Sequence, residues 1–340
     1  MAMRKTKNYD RSNMRRTILE FPKQFRAGLK SAEKTKVTGV FDGVVVCGIG
    51  GSALPADILK MWLKAYKIDL PLYIHRNYGL PHQIDCNHLV VCISYSGNTE
   101  EALSAFEEAK RRKLKIVAIT SGGKLAELCK KHDIPFVKIP KGWQPRIAIG
   151  CQFAALIKVL ANCGIINNEL KDVLELESLP SGELENKGKT LAKKLFKKIP
   201  LIYAAEENKS LAYIWKISLN ETAKIIASHN YLPELSHNEI VGFWKINEMQ
   251  LPGSKLYAIF LKDPASNARI KKQMKIVDGL IRREGVNTET VILKEKDILK
   301  KTFSCILLAF WTSFHLALLY KVDPFPVKMI EEFKRRLREE

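Results

Sequence analysis

Between residues 43 and 139 the chain alternates repeatedly between short apolar runs and longer amphipathic stretches, and this alternation restricts the fold to one class. The runs at 43–48, 72–75, 89–94, 116–120 and 136–139 are largely β-branched or apolar. The clearest of them are continuous rather than alternating, as expected of strands covered on both faces. Stretches at 53–65, 102–112 and up to 131 carry apolar residues at helical spacing. Strands and helices that alternate at this length form a parallel, doubly wound α/β sheet. Such sheets bind ligands beyond the carboxyl ends of their strands. The loops Gly48-Ile49-Gly50-Gly51-Ser52, Ser94-Tyr95-Ser96-Gly97-Asn98-Thr99 and Ser121-Gly122-Gly123 all belong to that edge.

The loop at 94–99 joins a buried strand to a helix. Gly97 permits a tight turn, and Asn98 with Glu101 three residues on reads as a capping box. The hydroxyls of Ser94, Ser96 and Thr99 then converge with free backbone N–H groups at a helix N-terminus, an anion site that suits phosphate. The same residues also describe a capped corner with no ligand. Gly50, Gly51 and Ser52 would let a sugar lie close against the main chain. Gly48-x-Gly50-x-x-Ala53 also satisfies the loose dinucleotide pattern. The second strand ends in His75-Arg76, which suits a 2′-phosphate, but that reading leaves the 94–99 loop unexplained. No G-x-x-x-x-G-K-[ST] occurs, so a P-loop is excluded.

The 340 residues suffice for two domains, and the formal net charge of +20 points to nucleic acid, an anionic membrane surface or small anionic substrates. The basic residues are spread along the chain, with short clusters at 110–113 and 334–336, no zinc-finger spacing and no basic tail. No nucleic-acid partner is therefore expected. The seven cysteines form no C-x-x-C pair, and Cys47 and Cys92 lie inside apolar strands, so a reducing compartment without disulfides is expected. With no apolar segment behind Met1-Ala-Met-Arg, the expected location is cytoplasmic. Residues 303–320 lack Asp, Glu, Lys and Arg and reach membrane-spanning length. Ser304, Thr312, Ser313 and His315 within that stretch favour a buried helix, so no membrane partner is expected, and His315 reads as a core or helix-face residue.

The expected organisation is a helical arm over 1–38, kinked at Pro22, a first domain over 39–165 and a second over 185–340. The second domain repeats the α/β pattern, with strands at 200–205, 224–227, 255–262 and 290–293. It lacks Ser/Gly phosphate loops, so its contribution must differ. Glu221 stands near the end of an apolar helix and His237 in a loop. A carboxylate and an imidazole brought together can move protons between adjacent carbons and oxygens, although each alone also fits an ordinary solvated position. Arg146, after Trp143-Gln144-Pro145, is a cation near the ligand edge, suited to a developing oxyanion or to a plain surface role.

Taken together and in order, Gly48–Ser52, Ser94–Glu101, Pro145-Arg146 and Glu234-Leu235-Ser236-His237-Asn238-Glu239 resemble the bifunctional phosphoglucose/phosphomannose isomerases. These are proteins of two sugar-isomerase (SIS) domains. Phe21-Pro22-x-Gln24 and Asp323-Pro324-Phe325-Pro326-Val327 extend the resemblance over nearly the whole chain. It implies two SIS-type domains that interconvert glucose 6-phosphate and mannose 6-phosphate with fructose 6-phosphate. By the same resemblance Ser94, Ser96 and Thr99 bind the phosphate, while Gly51 and Ser52 line the sugar. Glu221 is the base that shuttles a proton between C1 and C2 through a cis-enediol, and Arg146 stabilises that intermediate. His237 assists ring opening from the partner subunit of a homodimer with shared active sites. Lys334 on the last helix also assists, with Lys328 nearby. Neither a metal nor a cofactor is implied. A non-catalytic SIS sensor would keep the Ser/Thr loop but would have no need of Glu221, His237 and Lys334.

Overall fold

The computed structural model describes residues 9–167, 170–249 and 252–339, so the first eight residues of the expected arm lie outside the described residues. The chain separates into two compact units. The first comprises Glu20–Leu179 and Glu295–Phe303, and the second comprises the chain up to Leu19, Pro180–Lys294 and Ser304–Glu340.

The first unit is built on five parallel strands, β1 (Gly43–Cys47), β2 (Leu72–His75), β3 (His88–Ser94), β4 (Lys115–Thr120) and β5 (Phe136–Lys138), in the order β2-β1-β3-β4-β5. β1 is buried at every position, and β3 at every position after the first. Helices cover both faces, which is why these strands read as continuous apolar runs. On one face Val45, Cys47, Val90, Cys92 and Ala118 pack with Phe106 from the helix Glu100–Arg111 and Leu125 from the helix Gly123–Lys131. The long apolar helix Ile149–Asn162 packs against the helices Lys23–Ser31 and Leu54–Ala65. Pro22 stands between the helices Met14–Leu19 and Lys23–Ser31, where its ring starts a new helix rather than continuing the old one.

The second unit carries four parallel strands, β6 (Ile199–Ala205), β7 (Ser228–Leu232), β8 (Leu256–Lys262) and β9 (Asn287–Ile292), in the order β7-β6-β8-β9. Its core joins Tyr203 and Phe260 to Leu232, Leu235 and Phe243, with Met274, Val277 and Ile281 from the helix Ala268–Arg283. Two expected strands move. Residues 224–227 are not a strand, because the helix Lys209–Ser218 widens into a π-type turn over Leu219–Ala223 and ends at Lys224 in the left-handed region (φ 60°). Pairing therefore starts at Ser228. β9 begins three residues earlier than its apolar signal because it is a partly exposed edge strand, where Asn287, Thr288 and Glu289 are tolerated.

The helix Ile298–Leu319 is the one described helix long and apolar enough to cross a membrane, and 78% of its apolar stretch is buried within the protein. Trp311, fully buried on this helix, donates its indole N–H to the Ser181 carbonyl at 2.7 Å. His315 stacks on Trp311, with Nε2 3.4 Å from Glu185. All seven cysteines are free.

Candidate active site

In the first sheet the strand order reverses between β1 and β3, and ligands of open parallel sheets gather at such a switch point. The two loops flanking it are Gly48–Ser52 after β1 and the 94–99 loop after β3. The switch point is thus lined by glycine and hydroxyl residues.

The hydroxyls divide into two kinds. Ser94 is fully buried. Its Oγ donates to Thr99 Oγ1 at 2.8 Å and accepts from the Gly97 amide at 3.1 Å. Ser52, 5% exposed, accepts the Tyr95 amide at 3.0 Å. These two hold the loops together. Ser96 is exposed and Thr99 half-exposed. Since Thr99 Oγ1 accepts from Ser94, its own proton remains for an acceptor outside the loop. Ser96 Oγ accepts the Asn98 amide at 3.2 Å and likewise keeps its proton to give. Thr99 immediately precedes the helix Glu100–Arg111, whose first amides have no partner within the helix, the arrangement that suits an anion.

The expected capping box does not form. Asn98 Oδ1 instead accepts the Lys124 amide at 3.0 Å, tying the loop to the one after β4. Gly97 makes this crossing possible: its φ is +72°, and a Cβ there would strike the Gly122 carbonyl. At Gly51 a Cβ would lie 2.6 Å from the Arg146 nitrogen and the Pro145 carbonyl carbon, so the turn carrying Arg146 rests directly on the glycine loop. Arg146 is not a surface arginine. It is 1% exposed, with Nη1 donating to Gln144 Oε1 at 3.4 Å, while Gln152 Nε2 donates to the Pro145 carbonyl at the same distance.

The second sheet has an equivalent switch point between β6 and β8, and it is acidic. Glu207 takes the Ser266 hydroxyl at 2.5 Å, and Asp263 takes the Ala265 amide at 2.9 Å. Carboxylates, rather than an open set of hydroxyls, take these donors.

Glu221 lies elsewhere. The helix Lys209–Ser218 starts beyond the carboxyl end of β6 and returns to the start of parallel β7. Glu221, in the turn that follows, is therefore at the amino end of the sheet. It lines a cavity of about 890 Å³ with Asn220, Lys216, Lys224, Asp323 and Lys328. These three lysines and two carboxylates stand in a lining that is otherwise largely apolar, with Ile225, Ile226, Val322, Val327 and Ile330. Lys224 Nζ donates to the Glu221 carbonyl, and Asn220 Nδ2 donates to the Ile225 carbonyl at 2.8 Å.

His237 is exposed and follows β7. It therefore stands at the carboxyl end of the strand that Glu221 precedes, and the fold of the second unit separates the two residues by the length of β7. Lys334 is exposed on the helix Lys328–Glu339 and does not line the Glu221 cavity, whereas Lys328 at the start of that helix does. Among the described residues no three His, Cys, Asp or Glu side chains converge as metal ligands.

Lys216 and Lys224 carried no sequence signal, because nothing in their spacing reveals a π-type turn.

Two parallel sheets, one of them with a hydroxyl-lined switch point, define a protein of two SIS domains. The SIS domain model matches residues 42–139, and the model of the bacterial phospho-glucose isomerase C-terminal SIS domain matches residues 184–337. The chain is 37% identical over 300 residues to the bifunctional phosphoglucose/phosphomannose isomerase of Aquifex aeolicus, covering 88% of this chain and 91% of that protein. It is 34% identical to the protein of the same name from Caldicellulosiruptor bescii, covering 94% and 96%. The chain belongs to the bifunctional phosphoglucose/phosphomannose isomerase family, a family of phosphosugar isomerases.

Among solved structures it resembles the C-terminal domain of glucosamine-fructose-6-phosphate aminotransferase from Francisella tularensis, with a TM-score of 0.68 at 15% identity, covering 96% of this chain and 100% of that one. It also resembles glucosamine-6-phosphate deaminase from Thermotoga maritima, with a TM-score of 0.66 at 15% identity, covering 94% and 97%. These likenesses concern the fold alone.

Proposed function

We propose that the protein interconverts glucose 6-phosphate and mannose 6-phosphate with fructose 6-phosphate through a cis-enediol, with Glu221 as the base. The observation that carries this reading is the placement of Glu221 on a cavity of about 890 Å³, beside Lys216, Lys224 and Lys328, since a sugar-phosphate sensor has no use for a base there. The activity named for the relatives at 37% and 34% identity agrees.

The chemistry is an internal redox exchange. Glu221 takes the proton from C2 of the open-chain aldose and returns it to C1, while a hydroxyl proton moves between O1 and O2, so nothing is consumed. The Ser96 and Thr99 hydroxyls and the amides of the Glu100–Arg111 helix anchor the remote phosphate. Ser94 and Ser52 hold those loops in shape, and Gly50 and Gly51 leave room for the sugar. Binding energy from the phosphate orients C1 and C2. The buried Arg146 guanidinium stabilises the enediolate oxygen, where a charge already desolvated is most effective.

His237 opens the ring in the site of a second copy of the chain. The length of β7 between it and Glu221, about 16 Å for five residues, favours that arrangement and with it a homodimer. Lys334 is the lysine that the family resemblance assigns to ring opening. Neither metal nor cofactor takes part in the proposed reaction.

The test is to supply purified protein with fructose 6-phosphate in EDTA and to follow both aldose phosphates. Both products are expected. Glucose 6-phosphate alone would narrow the activity to one epimer, and binding without turnover would establish the sensor instead.

A further inference from the structure

We propose that Tyr95 is a positioning residue for Arg146, joining the phosphate loop to the turn that carries the enediol-stabilising cation; this rests on the isomerase reading above. Tyr95 is 7% exposed and reaches three other loops at the carboxyl edge of the first sheet. Its amide donates to Ser52 Oγ at 3.0 Å, after β1. Its carbonyl accepts from Ser121 Oγ at 2.7 Å and from the Ser121 amide at 3.1 Å, after β4. Its phenol donates to the Pro140 carbonyl at 3.1 Å and accepts the Trp143 amide at 2.9 Å, after β5.

Trp143 is the first residue of the turn leading to Arg146. The Gln144 carbonyl in that turn accepts the Ile147 and Ala148 amides at 2.8 and 2.9 Å, which launches the helix Ile149–Asn162. A guanidinium as enclosed as that of Arg146 cannot search for its substrate through solvent, so its aim follows from its backbone. That backbone rests on Gly51 on one side and is tied to the Tyr95 phenol near its start. Burial raises the phenol above its ordinary pKa, so it keeps the proton it donates while its oxygen still accepts. The loop thus divides its work: Ser94 holds the turn from within, Ser96 faces out, and Tyr95 reaches the arginine turn.

Y95F removes only the phenolic oxygen. The backbone bonds to Ser52 and Ser121, and with them the phosphate cradle, remain. Four proteins are compared: wild type, Y95F, R146K and the double variant. For each, kcat and KM for fructose 6-phosphate and the inhibition constant of inorganic phosphate are measured. Y95F is expected to lower kcat about 10- to 100-fold, with the phosphate inhibition constant within about twofold of wild type. The double variant is expected to fall no more than about twofold below R146K, because the tyrosine acts through the arginine.

Full kcat in Y95F would overturn the role. So would a parallel loss of kcat and phosphate affinity, which would make Tyr95 a support of the whole edge, or a double variant whose losses multiply. Wild-type protein that fails to isomerise would sink the isomerase reading itself, and this inference with it, an outcome visible before any variant is made. Should Y95F fail to fold, 4-fluorophenylalanine at position 95 fills the oxygen's volume without its hydrogen, and the same split is expected.

Discussion

Glu239 accepts the phenolic hydrogen of Tyr203 at 2.5 Å, and its other carboxylate oxygen accepts Asn230 Nδ2, also at 2.5 Å. Tyr203 is a fully buried residue of β6 and Asn230 belongs to β7, so the segment that carries His237 is pinned to two strands of the second sheet. Burial first, and then the Glu239 carboxylate, hold the Tyr203 phenol well above its usual pKa, so it remains a donor. E239A leaves that buried hydroxyl unpaired, a cost of about 1–3 kcal/mol. It should lower the urea midpoint and reduce kcat towards the value of H237A, with phosphate inhibition unchanged. A normal kcat in E239A would separate the loop's position from ring opening.

Ser94 and Thr99 form one unit. S94A leaves the Gly97 amide without its side-chain acceptor and Thr99 without its donor. Each of S94A and T99A should weaken inhibition by inorganic phosphate about 10-fold, and the double variant by much less than the product. Fully additive losses would mean that Ser94 contacts phosphate independently of Thr99.

Removal of the carboxylate in E221Q should lower kcat by about 10²–10⁴-fold while fructose 6-phosphate still binds, as isothermal titration would show. A rate near wild type would remove Glu221 from the mechanism.

Two glycines mark where backbones cross. G97A introduces a Cβ against the Gly122 carbonyl at a positive φ, and G51A places one 2.6 Å from the Arg146 nitrogen. Both should destabilise the protein by about 1–3 kcal/mol, read as a fall in urea midpoint. G51A should in addition lower kcat by more than its stability loss explains, because it pushes on the arginine turn.

His315 predicts an acid limb of stability. Burial lowers its pKa, opposed by Glu185 and reinforced by Lys189 and Arg15. A folded-state pKa below the unfolded value of 6.5 means that the unfolded chain binds the extra proton first. The contribution is therefore present above pH 6.5 and is lost as pH falls through the lower folded value. H315N should flatten the decline of the urea midpoint between pH 7.5 and 5.5. An unchanged slope would place the titration elsewhere, with His229, also lowered chiefly by burial, the next to replace.

Much of this molecule was legible in the chain itself. The runs at 43–48, 89–94 and 116–120 are continuous because helices cover both faces of their sheet, and that pattern survives in any context. The position of the 94–99 loop at the carboxyl edge follows from strand preceding helix, and the buried character of the 298–319 helix follows from the polar residues Ser304, Thr312, Ser313 and His315 within its apolar stretch. These are local consequences of period and composition, and they sufficed for two doubly wound domains and for the edge on which the hydroxyl loop lies.

What folding alone decided is direction and company. Ser94 turned inward and Ser96 outward. Asn98 chose the Lys124 amide over its own helix, and Arg146 became buried rather than solvated. The π-type turn delayed β7 and set Glu221 on one cavity with Lys216, Lys224 and Lys328. Each of these depends on which distant backbone presents a donor, an acceptor or an obstructing carbonyl, and sequence spacing contains no such information. Glu221 and His237 are near in sequence yet stand at opposite ends of one strand, because a parallel sheet returns each helix to the edge from which the next strand departs.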